Sequence, residues 1–393
     1  MIKINLLNKI ATCGTDKFPR SKYEVDSSIT SPDAIMVRSA DMHSMTFGNE
    51  LKAIARAGAG TNNIPIDECA EKGIVVFNTP GANANAVKEL VICGMLLACR
   101  DVVGGINWVK EASNEPDIAK LVEKEKSKFA GTELLGKTLG IIGLGAIGGP
   151  LANAAVALGM EVLGFDPYIS VDSAWKLSGA VKRVDSREEI LKNSDFISLH
   201  TPLITDSDPL VNTKHMINAD TIGLMKDGAI VLNFARDALV DDDAIENALA
   251  SGKIRRYVTD FPNARTAGMK GVIAIPHLGA STEESEDNCA SMAADELINY
   301  LENGNIRNSV NYPTVEMPLS NAQRIVILHK NIPNMISHIS TAFSSRNINI
   351  ENMLNRSRGN YACTLVDVSA DVNDDIINSI EKVDGIIRVL KPV

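Results

Sequence analysis

Residues 138–168 read TLGIIGLGAIGGPLANAAVALGMEVLGFDPY, and this stretch decides the fold. An apolar strand runs into Gly143, Gly145 and Gly148 at the spacing G-x-G-x-x-G, and a helix of small residues follows. The first glycine permits a tight turn, the second lets the backbone approach a pyrophosphate, and the third lets the helix pack closely on the strand. The helix N-terminus then faces the phosphates. The stretch therefore predicts a dinucleotide site.

Asp166 lies at the end of the next predicted strand, about twenty residues after the glycines, where a carboxylate accepts hydrogen bonds from the adenosine ribose. A site for NADP needs a basic residue nearby to pair with the extra phosphate, and Pro167 and Tyr168 offer none. The predicted cofactor is therefore NAD. The alternative is a glycine-rich turn in an unrelated α/β protein.

The composition limits the remaining choices. With 393 residues, two or three domains are expected. The apolar runs are shorter than the roughly 18 residues of a membrane span, and the N-terminus does not resemble a signal peptide. The net charge of −10 argues against a nucleic-acid partner, and six scattered cysteines favour buried thiols in a reducing compartment. We expect a cytoplasmic protein with no membrane partner and no metal site.

Two further regions show a regular order of elements. Residues 137–277 alternate six apolar strands with turn or helix signals, which predicts a Rossmann-type, doubly wound parallel sheet. From Arg324 onward the order is β-α-β-β-α-β, which is the ferredoxin-like arrangement.

Functional groups in an open parallel sheet gather at the carboxyl ends of the strands. The predicted strand ends carry His200-Thr201-Pro202, Asn233-Phe234-Ala235-Arg236, Thr259-Asp260 and Pro276-His277. Dehydrogenation of a hydroxy acid needs a base for the hydroxyl proton and a cation for the carboxylate. His277 suits the base, since imidazole titrates near neutrality, and Arg236 suits the carboxylate, since guanidinium offers a bidentate fork. Each residue alone also fits a structural histidine or a surface arginine.

The motifs LGIIGLGAIG, FDPY, HTPL, LNFAR, VTDFP and PHLGAST occur in this order, and with them the chain resembles the D-2-hydroxyacid dehydrogenases that carry a C-terminal ACT domain. The resemblance implies a flavodoxin-like, discontinuous substrate domain beside the nucleotide domain, with the active site in a cleft that closes to exclude water. The implied ranges are 1–90 and 283–312 for the substrate domain, 91–282 for the NAD domain, 313–322 for a linker and 323–393 for the ACT domain.

Within the family, the appended ACT unit points to NAD-dependent oxidation of D-3-phosphoglycerate to 3-phosphohydroxypyruvate, the first step of L-serine synthesis. His277 and Arg236 match the catalytic residues of the family. A reductase for glyoxylate, hydroxypyruvate or another 2-oxo acid is one alternative. A catalytically weakened protein that senses NAD is another.

The resemblance also assigns ligand contacts residue by residue. The implied substrate residues, with Arg38 and Lys88 as candidates for the phosphate, are Arg38, Ser39, Ala59, Gly60, Asn83, Asn85 and Lys88. The predicted cofactor residues are Gly143, Gly145, Ala146, Ile147, Gly148, Asp166, His200, Thr201, Pro202, Phe234, Ala235, Asp260, His277 and Gly279. Asp260 matches the acid that bonds the nicotinamide carboxamide.

One family residue is missing. The family pairs its catalytic histidine with a glutamate a few residues after the VTDFP-like stretch, and that position holds Ala264. Asp237, Glu283 or Glu284 could substitute, the enzyme could work without the partner and with an altered pH profile, or catalysis could be lost. The sequence leaves these three explanations open.

The ACT resemblance implies an effector site as well. His329, Asn331 and Asn349 match positions that bind L-serine across a dimer of ACT domains in serine-regulated members, and Asn334 replaces the usual glycine. A structural ACT dimer without an effector is the alternative. A homodimer or a homotetramer is expected.

Overall fold

The computed structural model describes residues 1–318, 320, 322–369 and 371–392. The chain forms two compact units, one of Met1–Asn83 with Glu283–Val393 and one of Ala84–Thr282. The second unit is thus inserted into the first. No helix among the described residues is both long enough and apolar enough to cross a membrane.

The first unit begins with a parallel sheet of five strands in the order β2-β1-β3-β4-β5. Its elements are β1 (Ile2–Leu6), α1 (Thr12–Thr15), β2 (Tyr23–Asp26), β3 (Ala34–Val37), β4 (Ala53–Arg56), α2 (Ile66–Glu71) and β5 (Val75–Asn78). All four residues of β3 are buried, because both faces of a parallel sheet are covered. The short apolar run AIMV is the sequence signature of that position.

The second unit is a parallel sheet of seven strands in the order β12-β11-β10-β9-β6-β7-β8. Its elements are α3 (Ala84–Cys99), α4 (Val102–Glu111), α5 (Ile118–Glu125), β6 (Thr138–Ile142), α6 (Gly148–Ala157), β7 (Glu161–Phe165), α7 (Val171–Ala174), β8 (Val181–Arg183), α8 (Arg187–Asn193), β9 (Phe196–Leu199), α9 (Ala219–Leu224), β10 (Ala229–Asn233), α10 (Asp242–Ser251), β11 (Ile254–Thr259) and β12 (Val272–Ala274). The predicted doubly wound sheet is confirmed. The sequence missed β8, since its residues VKR are too few and too polar to show a pattern.

The chain returns to the first unit through a long helix and ends in an antiparallel sheet of order β14-β15-β13-β16. These elements are α11 (Glu283–Asn303), β13 (Gln323–Lys330), α12 (Met335–Ser344), β14 (Ile350–Arg358), β15 (Tyr361–Val368), α13 (Asp374–Glu381) and β16 (Ile386–Leu390). The β-α-β-β-α-β order confirms the ferredoxin-like fold of an ACT domain. Residues 319 and 321 of the predicted linker, and 370 and 393 of the predicted ACT domain, lie outside the described residues.

The ACT sheet is covered on both faces. Ile325 and Ile327 of β13 pack with the residues of α12, while the alternate residues Val326 and Leu328 belong to the core that also contains Leu297 of α11. The guanidinium of Arg388 donates to the carbonyl oxygens of residues 49 and 51. The ACT domain and the five-stranded sheet therefore share one continuous hydrophobic core.

A buried carboxyl group in α11 gives the first unit a pH-dependent stability. Glu296 is 7% exposed, and its Oε1 accepts a 2.7 Å hydrogen bond from Asn308. Its Oε2 is buried without a partner among the described residues. Burial raises the pKa of Glu296 from 4.5 to about 8, so the folded protein holds a proton there that the unfolded chain releases near pH 4.5.

The wild type is expected to lose stability as the pH rises from about 5 to about 8. We expect the Glu296→Gln variant not to show this loss. In that window the folded state binds more protons than the unfolded state, so the free energy of unfolding falls with pH, by on the order of 1 kcal/mol per pH unit at the steepest. Urea unfolding at both pH values measures this slope. The exposed Glu68→Gln variant is the control, and equal slopes in the two variants would contradict the expectation.

Candidate active site

In the glycine loop between β6 and α6, two glycines have no room for a β carbon and the third has free space around it. Gly143 has φ +95°, and a β carbon there would lie 2.4 Å from the carbonyl oxygen of His200. A β carbon on Gly148 would lie 1.9 Å from the carbonyl oxygen of Gly143. A β carbon on Gly145 would meet nothing within 4 Å. The loop thus leaves free space where a pyrophosphate approaches the backbone.

Asp166 fixes the other side of this loop. Its two carboxylate oxygens accept hydrogen bonds of 2.9 Å from the backbone N–H groups of Leu144 and Tyr168. Each oxygen keeps a lone pair for a further donor. The carboxylate is therefore pre-oriented at the end of β7, as the adenosine ribose hydroxyls require.

Two polar side chains with buried atoms, His200 and Asp260, lie at the neighbouring strand ends. Burial lowers the pKa of His200 to about 4, so this ring is neutral at pH 7. Its Nε2 lies 2.8 Å from the hydroxyl of Ser198, and its Nδ1 has no partner among the described residues. Asp260 is 1% exposed, accepts a 3.3 Å hydrogen bond from Gly279 N at Oδ2, and leaves Oδ1 unpartnered within the described part of the chain.

Burial is the main influence on Asp260, and it raises the pKa of this carboxyl. The nearby charges of His277 and Arg236 and the hydrogen bond from Gly279 act in the opposite direction. A buried acceptor without a donor is costly unless a ligand supplies one. Asp260 Oδ1 therefore fits an N–H group of a bound molecule such as the carboxamide of nicotinamide.

Arg236 and His277 both contact the same aromatic ring, that of Phe261. The Arg236 Cζ lies 5.7 Å from the centroid of the Phe261 ring, and the His277 ring lies 4.3 Å from the same ring, centroid to centroid, at an angle of 45°. Both polar side chains belong to exposed residues. The structure thus brings together the two residues predicted for the base and for the carboxylate.

The loop after Asp260 is held in place by Asn263. Its Oδ1 accepts from the backbone N–H groups of Arg265 and Thr266, both at 2.9 Å. Its Nδ2 donates to Asp242 at 2.8 Å and to both oxygens of Asp237 at 3.2 and 3.3 Å. This side chain therefore ties the loop to the start of α10 and to the turn that follows Arg236.

The carboxyl ends of β3 and β4 carry a second group of polar residues, in the first unit. The side chain of Asn8 accepts hydrogen bonds of 3.0–3.1 Å from the backbone N–H groups of residues 38, 39 and 40. Asn78 Nδ2 donates to the Ala59 carbonyl oxygen at 2.5 Å. Because β3 and β4 are neighbours, the predicted residues Arg38 and Ser39 lie beside the predicted Ala59-Gly60 loop.

Arg56, which sequence reasoning missed, completes this group. Its Nε donates to the Arg38 carbonyl oxygen at 3.1 Å, and its guanidinium is so close to Gly58 that a β carbon there would lie 2.2 Å from Nη1. Arg38 pairs with Glu286 at 2.6 Å, whereas Arg56 forms no ion pair with any described residue. Burial, and to a smaller extent the charge of Arg38, lowers the pKa of Arg56.

The other predicted substrate residues divide between the units. Asn83 ends the first segment of the first unit, while Asn85 and Lys88 lie in the first turns of α3 in the second unit. Lys88 Nζ donates to Asn85 Oδ1 at 2.6 Å, and Asn85 Nδ2 donates to Glu89 at 2.8 Å. Their contact with a substrate stays a prediction.

Comparison with known proteins identifies the family. Residues 92–279 match the family described as "D-isomer specific 2-hydroxyacid dehydrogenase, NAD binding domain". A D-3-phosphoglycerate dehydrogenase of Methanocaldococcus jannaschii is 34% identical over 81% of this chain, which spans 59% of that relative. A hydroxypyruvate reductase of Thermotoga maritima is 38% identical over 67% of this chain and 83% of its own. The chain belongs to the D-2-hydroxyacid dehydrogenase family.

A solved structure supports the same conclusion. The NAD⁺-bound 3-phosphoglycerate dehydrogenase of Entamoeba histolytica is 27% identical, with a TM-score of 0.59, and the match covers 79% of this chain and 98% of the other. The resemblance inferred from the motifs is confirmed, and so is NAD as the cofactor. The open space over Gly145, the oriented Asp166 carboxylate and the unpartnered Asp260 oxygen fit that cofactor.

Within the NAD-binding unit, no described carboxylate forms a hydrogen bond with His277. Ala264 is exposed, and the described residues of the second unit give the His277 ring no hydrogen-bond partner. Asp237 is held by Asn263 instead. Glu283 and Glu284 begin α11 in the first unit, and their role as substitutes stays a prediction.

In the ACT domain, the predicted effector histidine is buried. His329 is 2% exposed, and its ring nitrogens lie 2.9 Å from the Lys330 carbonyl oxygen and 2.9 Å from the Thr364 hydroxyl. Asn334, which replaces the usual glycine, has φ 69°, a left-handed conformation that asparagine tolerates better than most residues. Asn331 and Asn349 are exposed. The serine site and the homo-oligomer stay predictions.

Proposed function

We propose that this family member oxidises D-3-phosphoglycerate to 3-phosphohydroxypyruvate with NAD. The observation that carries the proposal is Arg56 at the end of β4, beside Arg38, which pairs with Glu286. Arg56 is a partly buried cation that forms no ion pair with the described residues, which is costly unless an anion binds there. The carboxylate of an unphosphorylated 2-hydroxy acid is assigned to Arg236, so such a substrate offers no second anion to Arg56. The names of the Methanocaldococcus and Entamoeba relatives agree with this substrate.

The catalytic roles are assigned to the two polar residues that contact the Phe261 ring, His277 and Arg236. His277 Nε2 or Nδ1 would accept the proton of the substrate 2-hydroxyl as the carbonyl forms. Arg236 would hold the substrate carboxylate with its planar fork and stabilise the negative charge on the reacting oxygen. When bound, NAD accepts the hydride from C2. Its pyrophosphate would lie on the loop at Gly145, its ribose at Asp166 and its carboxamide at Asp260.

We expect Arg56→Gln to lower kcat/KM for D-3-phosphoglycerate about tenfold or more and to leave kcat/KM for glycerate within about threefold. A charge-assisted hydrogen bond contributes about 1.5–3 kcal/mol, and only the phosphorylated substrate uses it. NADH formation at 340 nm measures both substrates. Arg183→Gln, a change at an exposed arginine, is the control. An equal loss on both substrates would contradict a phosphate role for Arg56.

The second candidate is a reductase for hydroxypyruvate, because the Thermotoga maritima relative carries that name and is 38% identical. The same comparison separates the two. If the wild type turns over hydroxypyruvate faster than 3-phosphohydroxypyruvate, and Arg56→Gln affects neither preferentially, the reductase is favoured. The residues around the cofactor keep their roles in both cases.

A further inference from the structure

In the second unit, the His277 ring contacts an aromatic side chain, Phe261. The His277 ring contacts Phe261 at a centroid distance of 4.3 Å, and no described residue of the second unit forms a hydrogen bond with it. The same Phe261 ring lies 5.7 Å from the Arg236 Cζ. Phe261 therefore contacts both polar groups within the NAD-binding unit, and the Asp260 carboxylate is close enough for their charges to oppose the rise in its pKa that burial causes.

We propose that Phe261 is the positioning residue of this site and that its ring takes over the orienting role of the carboxylate missing at Ala264. The proposal rests on the proposed roles of His277 and Arg236. Phe261 acts through the two side chains that its ring contacts.

The backbone around Phe261 is fixed well enough for such a role. Its N–H donates to the hydroxyl of Thr259 at 3.0 Å, and Thr259 is fully buried at the end of β11. Two residues later, Asn263 joins the loop to Asp237 and Asp242. The loop is also tied to α10 by Arg265, which pairs with Asp243 and Glu246 at 2.5 Å. The ring thus projects from a loop that is anchored on both sides.

An aromatic ring can supply both functions of a carboxylate partner. It limits the rotamers of the imidazole by contact, as a hydrogen bond would limit its orientation. Its face also attracts cations, so it favours the imidazolium that forms once His277 has taken the substrate proton. The attraction to Arg236 keeps that guanidinium over the same ring. Neither effect needs a titratable group in the position of Ala264.

Within the second unit, Asp237 forms hydrogen bonds with the loop and none with His277. Both Asp237 oxygens accept from Asn263, and Asn263 Nδ2 also donates to Asp242. Asp237 therefore supports the loop that carries Phe261. In this arrangement Asn263 and Asp237 set the backbone, and the aromatic ring contacts the catalytic pair.

The test compares Phe261→Leu, which removes the ring but keeps an apolar side chain of similar size, with Phe261→Tyr, which keeps the ring. We expect Phe261→Leu to lower kcat/KM for the hydroxy acid about 3- to 30-fold, the range that cation–π energies correspond to, with KM for NAD unchanged. Phe261→Tyr should stay within about twofold of the wild type. Phe129→Leu removes a ring from the separate Trp108–Phe129 pair and is the matched control.

Full activity in Phe261→Leu would overturn the proposal, because an apolar side chain without an aromatic ring would then be enough to position His277. An equal loss in the leucine and tyrosine variants would overturn it as well. A second measurement does not depend on any substrate. The proton spectrum of the His277 ring, assigned with a His277→Gln variant, should carry an upfield ring-current shift in the wild type and in Phe261→Tyr, and lose it in Phe261→Leu.

The two measurements separate this inference from the proposed substrate. If the wild type oxidises another hydroxy acid rather than D-3-phosphoglycerate, the phosphoglycerate proposal fails while the comparison of Phe261 variants still applies to the active substrate. If the ring-current shift is the same in wild type and Phe261→Leu, the contact does not exist in solution and the inference fails whatever the substrate.

Discussion

His277→Gln is expected to lower kcat by about 10²- to 10⁴-fold, the range typical of lost acid–base assistance, and to leave NADH affinity nearly unchanged. Glutamine matches the imidazole in reach and polarity but cannot take a proton at neutral pH. The side chain belongs to an exposed residue that forms no hydrogen bond with the described part of its own unit, so its loss leaves no buried partner unsatisfied. The fold should therefore be preserved.

Steady-state rates with the preferred hydroxy acid and NADH binding by fluorescence measure the two quantities. The control is His43→Gln, which changes an exposed histidine paired with Asp41 at 2.6 Å. If kcat of His277→Gln stays within a few-fold of the wild type, another group accepts the proton, and the role assigned to the PHLGAST histidine is wrong.

Gly145→Val is expected to weaken NAD binding by about 5- to 150-fold without unfolding the protein. Nothing lies within 4 Å of a β carbon at this position, so the free protein accommodates the side chain. The bound pyrophosphate would occupy that space, and forcing extra methyl groups into a filled site costs about 1–3 kcal/mol. Calorimetric titration with NADH measures the affinity, and thermal unfolding checks the fold.

Gly148→Val provides the contrast. A β carbon there would lie 1.9 Å from a backbone oxygen, so this variant should lose both stability and NAD binding. If Gly145→Val binds NADH like the wild type, the cofactor does not cross the loop at this glycine, and the prediction from the G-x-G-x-x-G spacing is wrong in its central detail.

The elements that the sequence predicted well are those determined by residues that are close together in the sequence. The glycine loop needs a positive φ at one residue and a close approach between backbone segments. The positions of Gly143 and Gly148 in the sequence indicate both requirements. The ACT order follows from alternating apolar runs such as RIVILHK, in which one set of residues faces the helices and the other faces the N-terminal core. The short strand β8 carries too few apolar residues to be seen.

The elements that it missed depend on contacts between distant residues. Arg56 lies in a stretch that predicts a strand. Only the pairing of β3 with β4 shows that it lies beside Arg38, and no described acidic residue forms an ion pair with it. Likewise, Phe261 and Asn263 are part of the motif VTDFPNAR, but the motif does not indicate what they contact. Their contacts with His277, Asp237 and Asp242 arise from the path of the loop, which residue type and spacing do not specify.

The division of the chain into an outer unit and an inserted one has a consequence for synthesis on the ribosome. The first sheet emerges early, but the core that it shares with α11 and the ACT strands contains residues such as Leu297 and Leu328, which are made only after the inserted unit. The inserted unit is continuous in sequence and complete by residue 282. Since domains tend to fold as they emerge, the nascent chain should acquire its nucleotide site first, while its N-terminal segment keeps apolar surface exposed until α11 and the ACT strands have been made.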